Sequence, residues 1–175
     1  DRSRLVYSLS KSFTGTVLGL LVADGELSLD DLVSDHLPDL FDDATPDATR
    51  RLRIRHIASM ASGHAAETLL EAALADPDDP VRGFLTIPPD AEPGTVFAYN
   101  QPPVLTLARI LQRRSGQRLV DVLRRRVLDP IGAGEVRWRQ LAGTDMGFSG
   151  VFTNLDTIAR LGQLHLDDGM WNSTR

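Results

Sequence analysis

The chain has 175 residues, of which 42% are hydrophobic and 25% charged, and it carries a formal net charge of −5. That composition is too apolar for a disordered tail and too acidic for a dedicated nucleic-acid binder, and the length suits about one domain burying roughly 70% of its unfolded surface. With no cysteine, disulfide scaffolds and thiolate metal sites are excluded.

The chain starts at Asp1 with no charged-then-apolar leader. Its longest apolar run, Val17 to Ala23 broken by Gly19, is far short of the roughly 20 residues of a membrane span. Ser8 to Ala23 reads as a helix, since Phe13, Val17, Leu20 and Leu21 recur at three- and four-residue spacing and Gly25 can terminate it. Leu27 to Asp31 is a turn with capping carboxylates, leading to a helical turn that stops at Pro38. Asp42 to Thr49 reads as a polar loop. Short helices are expected at Ile54 to Met60, Glu67 to Ala75 and Pro80 to Leu85. After Pro88-Pro89 and Pro93-Gly94, Thr95 to Tyr99 is a brief extended run. Helices follow at about Pro103 to Arg114, closed by Gly116, and at Leu119 to Leu128, closed by Asp129-Pro130. Glu135 to Arg139 alternates like a strand, Met146 to Phe152 is glycine-rich, and Leu155 to Leu166 is a last amphipathic helix. Met170 to Arg175 trails off, and neither end resembles a domain edge. The expectation is a mainly α chain, one partial domain over 1–175.

The basic residues hold an oddity. Eighteen are Arg and one is Lys, Lys11. If Ser8 opens the first helix, Lys11 lies three residues on, about 300° around and roughly 4.5 Å along the axis, so both side chains share a face. A serine hydroxyl is a poor nucleophile until a neighbouring base takes its proton. A lysine can be that base once its pKa is lowered by burial or nearby cations, whereas an arginine cannot. The helix N-terminus also favours an anion developing at the serine. The same spacing suits a capping serine beside a surface lysine. Against that stand an apolar segment ill suited to a solvated face, and a lysine kept where arginine serves everywhere else.

Tyr99, one of two tyrosines, stands in Val96-Phe97-Ala98-Tyr99-Asn100-Gln101 just before a helix. A phenol beside a cationic amine can act as acid or base; a buried tyrosine bonded to backbone is the alternative.

Tyr7-Ser8-Leu9-Ser10-Lys11-Ser12-Phe13-Thr14, then Leu18 to Gly25 and Leu27 to Asp31, resembles the opening of the serine β-lactamase and penicillin-binding-protein family, most closely its class C β-lactamase and esterase-type branch. Phe97 to Leu111 with Gly116, and Leu128 to Gly132, are similar to that family's tyrosine motif and the helices behind it. Gly147 to Asn172 is similar to the glycine-rich stretch and helix that follow. The resemblance implies the helical half of an α+β β-lactamase/transpeptidase-like fold, with the antiparallel sheet largely missing. It further implies Ser8 as acylated nucleophile, Lys11 as its base partner, Tyr99 as second acid/base group, and Asn100 or Gln101 as the substrate-binding amide. The implied reaction is acyl transfer to water from an ester, a β-lactam or a D-amino-acid peptide, with a small-molecule or peptide substrate and no cofactor. Two departures stand out. Position 101 is Gln where the family usually has Asn, and the family's third motif, Lys or His then Thr or Ser then Gly, is absent from the chain. A non-catalytic binding or scaffold module is the competing reading.

Other groups read as structural. His36, His56, His64 and His165 lack metal-ligand spacing, with His64 and His165 expected as caps or surface residues. Ser149 fails the Gly-x-Ser-x-Gly spacing of a nucleophile elbow. The paired aspartates at 30–31, 42–43 and 78–79 read as caps and turns, and the arginine runs at 50–53 and 124–126 as solvated helix faces.

Overall fold

The computed structural model describes residues 2–173; Thr174 and Arg175, the end of the expected tail, lie outside the described residues. β1 (Arg4–Leu5) leads through a 3₁₀ turn at Tyr7–Leu9 into α1 (Ser10–Ala23). Then come α2 (Val33–His36), α3 (Asp47–Arg50), α4 (Ile54–Ala58), α5 (Leu69–Ala75), α6 (Pro80–Thr86), α7 (Gln101–Ser115) and α8 (Leu119–Leu123). The strands β2 (Arg137–Trp138), β3 (Gln140–Leu141), β4 (Thr144–Asp145) and β5 (Val151–Thr153) precede α9 (Leu155–Leu166). The chain is mainly helical, as its periodicity predicts. Among the described residues no helix is long and apolar enough to cross a membrane.

α1 carries part of the core on its inner face. Phe13 and Val17 are fully buried, a stabilisation of about 1.5–3 kcal/mol each. The helix ends where Gly25, at φ +72°, lets the chain reverse: Gly25 N–H donates to the Val22 carbonyl at 3.1 Å and Glu26 N–H to the Leu21 carbonyl at 3.0 Å. α7 packs against it with Leu105, Ile110 and Leu111 fully buried, and Gly116 closes α7 in the left-handed region at φ +64°. Arg109 on α7 reaches Asp79, which caps α6, at 2.6 Å. Arg118 reaches the fully buried Asp145 of β4 at 2.7 Å, so these charges clamp helices to the hairpin.

β1, β5 and β2 form one antiparallel sheet with β5 central: Arg4 faces Thr153, Leu5 and Arg137 face Phe152, and Trp138 faces Val151. The ladder continues past β1, as Val6 N–H donates to the Val151 carbonyl at 2.9 Å. β3 and β4 make a separate hairpin.

Several elements differ from the sequence expectation, each for a local reason. The α-helix starts at Ser10, because Tyr7 takes φ +47° and the next residues wind as a 3₁₀ turn. The polar loop holds one helical turn, α3, which Pro46 enters in extended geometry. Thr95 to Tyr99 joins no strand and is fastened to the helical body by Ala98 N–H donating to the Met60 carbonyl at 3.2 Å. The helix expected through Leu128 widens into a π-turn at Arg124–Leu128, where Asp129 N–H reaches back five residues to the Arg124 carbonyl at 2.9 Å. The arginines there are engaged: Arg124 binds Asp129 and the Gly134 carbonyl, and Arg126 binds Asp24.

α5 and α6 press together at Gly83, where an added Cβ would lie 2.0 Å from the Ala72 carbonyl oxygen. Gly19, inside α1, has nothing within 4 Å of that position. Thermal denaturation is therefore expected to show Gly83→Ala destabilised by about 1–3 kcal/mol. In the same assay Gly19→Ala is unchanged or stabilised by about 0.5–1 kcal/mol through its lower unfolded entropy.

Candidate active site

Three separate segments converge on the Lys11 amine. It donates to Ser8 Oγ at 3.3 Å, to the Tyr99 hydroxyl at 3.0 Å and to the Phe148 carbonyl at 3.0 Å. Ser8 and Lys11 meet because the 3₁₀ turn, with three residues per turn, brings side chains three apart nearly into register. Tyr99 arrives from the entry to α7, 88 residues away in sequence. Ser8 and Tyr99 are exposed and Lys11 is half-buried, so the hydroxyls face solvent while the amine sits behind them. An ammonium carries three N–H donors, and these three acceptors use all of them. A carbonyl can only accept, so Phe148 commits one donor and aims the other two at the hydroxyls.

The amine also lies 4.7 Å from the Tyr99 ring centroid and 6.0 Å from that of Phe148. Hydrogen bonding with the Ser8 hydroxyl, first, and with the Lys11 amine, second, holds the Tyr99 phenol below its ordinary ionisation range, and burial opposes this only in part.

The Phe148 carbonyl is itself fixed from two sides. Thr14, one turn along α1 from Lys11, donates its hydroxyl to the Gly147 carbonyl at 2.8 Å. Gly147 adopts φ +64° and presses on α7, where a Cβ would meet Ala108 Cβ at 2.7 Å and the Val104 carbonyl at 2.9 Å. Only glycine fits there. The glycine-rich stretch from Met146 to Phe152 thus backs the Lys11 amine, through a contact to Thr14 on α1 that is 133 residues away in sequence.

Asn100 is fully buried. Its Oδ1 accepts from the Thr68 main-chain N–H at 3.0 Å and the Thr68 hydroxyl at 3.1 Å, and its Nδ2 is without a partner among the described residues. Gln101 is half-buried, its main-chain N–H donating to Glu67 at 3.3 Å while its Oε1 has no partner among the described residues.

His64 departs from the cap or surface role expected of it. It is 2% exposed, its ring tilted 5.0 Å from that of Phe84. The Ile87 carbonyl at 3.2 Å can only accept, so Nε2 carries the proton and Nδ1 accepts from Ser62 Oγ at 3.0 Å. Both nitrogens satisfied, the neutral ring can be buried, and burial lowers its pKa. His36 pairs with Asp31, and His165 is exposed on α9. Asp31, Asp42 and Asp79 accept main-chain N–H groups of nearby turns, as expected of caps.

A Ser-x-x-Lys pair met by a tyrosine from a second segment, on a helical body edged by a short antiparallel sheet, is the arrangement the resemblance implies for a serine β-lactamase-like protein. The chain belongs to the beta-lactamase family, whose sequence model matches residues 5–172. It is 28% identical over 195 residues to penicillin-binding protein 4 of Amycolatopsis lactamdurans, an alignment covering 93% of this chain and 50% of that protein. Among solved structures, a Bacillus anthracis protein provisionally assigned as a 6-aminohexanoate-dimer hydrolase superposes with TM-score 0.83 and 21% identity, covering 99% of this chain and 50% of the other. A penicillin-binding protein homologue from Pyrococcus abyssi gives TM-score 0.75 at 17% identity, covering 97% and 46%. The chain thus spans about half the length of these proteins and carries the mainly helical part of their fold.

With Tyr7→Phe leaving Tyr99 as the sole tyrosine, phenolate absorbance is expected to titrate with a midpoint below 10, the ordinary value. Adding Lys11→Met moves that midpoint up. A midpoint at or above 10 in the parent contradicts the geometry.

Proposed function

We propose that the chain carries the nucleophile and acid/base groups of a serine hydrolase acting through an acyl-enzyme on an ester, β-lactam or D-amino-acid peptide. The observation behind this is the single amine within hydrogen-bond reach of both the Ser8 and Tyr99 hydroxyls. Family membership supports the reaction class.

In this reading Ser8 Oγ attacks the carbonyl carbon while its proton passes to the Tyr99–Lys11 pair. The carbonyl oxygen becomes an oxyanion, for which the Ser8 main-chain N–H is one donor. The tetrahedral intermediate collapses as the bond to the leaving group breaks, and the stored proton goes to that group. Water then attacks the acyl ester, giving its proton to the pair, and Ser8 takes a proton back as the acid departs. Tyr99, whose ionisation is already eased, is the group best placed to exchange the proton, with Lys11 holding both oxygens in line. Of the two amides, we assign Gln101 to the substrate and Asn100 to holding Tyr99, since the Asn100 Oδ1 is already taken by Thr68.

A binding module that keeps the pocket without turnover is the second reading, favoured by Gln101 in place of the family's usual Asn. The two separate by intact mass after treatment with a fluorophosphonate or a penicillin. An adduct on Ser8, absent in Ser8→Ala, is expected. No adduct on this chain or on a longer reading frame containing it, with ligand binding retained, contradicts the hydrolase. Turnover by the 175 residues alone is expected to be weak, since they supply about half of a relative's chain.

A further inference from the structure

We infer that Ser10 is a positioning residue for Ser8: its buried hydroxyl ties the strained turn carrying Ser8 to strand β5 and so sets where Ser8 Oγ stands relative to Lys11. This rests on the proposed role of Ser8 as nucleophile.

Ser10 is 0% exposed, although it is a small polar residue at the start of a helix whose neighbours Ser8 and Leu9 are exposed. Its Oγ donates to the Tyr7 carbonyl at 2.6 Å and accepts from the Val151 main-chain N–H at 3.1 Å. On the other side of Ser8, Val6 N–H donates to the Val151 carbonyl at 2.9 Å. One residue of β5 therefore grips the chain both before and after the nucleophile. Between those grips lies Tyr7 at φ +47°, a region that a non-glycine residue occupies only where its surroundings over-determine it. Neither the 3₁₀ turn nor α1 has a side-chain cap on its first residues, so that local device is absent. The Ser10 hydroxyl supplies the restraint instead. It replaces the ladder partner that Val151 N–H would otherwise lack and fixes the carbonyl of the strained residue directly preceding Ser8. Ser10 touches neither Ser8 Oγ nor the Lys11 amine, and acts through backbone.

The test uses the Tyr7→Phe background, in which Tyr99 is the only phenol, and reads two quantities. The first is the Tyr99 ionisation midpoint, which reports the Ser8–Tyr99 hydrogen bond. The second is the rate at which a fluorophosphonate acylates Ser8. Ser8→Ala is the control for the first reading and is expected to raise the midpoint. Ser10→Ala is expected to raise it in the same sense and to slow acylation by about 10- to 100-fold, the effect of a small misplacement of a reacting group. Ser10→Thr, which keeps the hydroxyl, is expected to retain both parent values. A purely structural role would lower the melting temperature and leave the midpoint in place. A folded Ser10→Ala with the parent midpoint and parent acylation rate overturns the inference. If neither the parent nor a longer reading frame containing it is acylated, the nucleophile reading fails by itself, and the midpoint alone decides whether Ser10 positions Ser8. If Ser10→Ala does not fold, Ser10→Cys, similar in volume but weak in hydrogen bonding, is read by the same two measures.

Discussion

Everything at this site depends on one amine satisfying three acceptors at once. Lys11 can hold Ser8 and Tyr99 in line only because its third donor is committed to the Phe148 carbonyl. That carbonyl is steady only because Gly147 lies flush against α7 and Thr14 fastens it to α1. Tyr99 is steadied in turn by its neighbours: Ala98 is bonded to Met60, and Asn100 is buried with both Thr68 donors on its oxygen. The hydroxyls can be exposed because the groups behind the half-buried amine, Phe148, Gly147, Thr14 and Asn100 among them, are buried.

The same logic explains the sheet. Strands of two or three residues contribute little stability alone. Their placement matters more, since β5 holds the residues flanking Ser8 and the segment just before β5 carries Phe148. Helices thus supply the groups, and the sheet fixes their register. One solved chain about twice as long shares the fold of this chain at TM-score 0.83.

Much of the fold was legible in the sequence. Apolar spacing located α1, α7 and α9, with Gly25 and Gly116 marking the ends of the first two, because terminators act locally. Ser8 and Lys11 stand out by residue type and spacing, Tyr99 only through the family resemblance, and the three side chains come together around one amine. What was not legible depends on contacts distant in sequence. Ser10 looks like any hydroxyl near a helix start until Val151, 141 residues on, presents its N–H. His64 reads as a surface residue until Phe84 and the Ile87 carbonyl fold over it. The π-turn at Arg124–Leu128 has no periodic signature in an arginine-rich helix, and the left-handed Tyr7 is invisible where propensity expects glycine. The lone lysine among eighteen arginines was the most informative feature, because its chemistry differs from arginine's in the ability to give up a proton.

That difference supplies the most direct measurement. Lys11→Arg keeps the positive charge and adds donors, while Lys11→Ala removes both. Rates of Ser8 acylation by a fluorophosphonate, followed by intact mass, are predicted to fall about 100-fold or more in each variant, with the arginine no better than the alanine. Acylation by the Lys11→Arg protein near the parent rate would contradict a site in which one compact amine holds the Ser8 and Tyr99 oxygens in line.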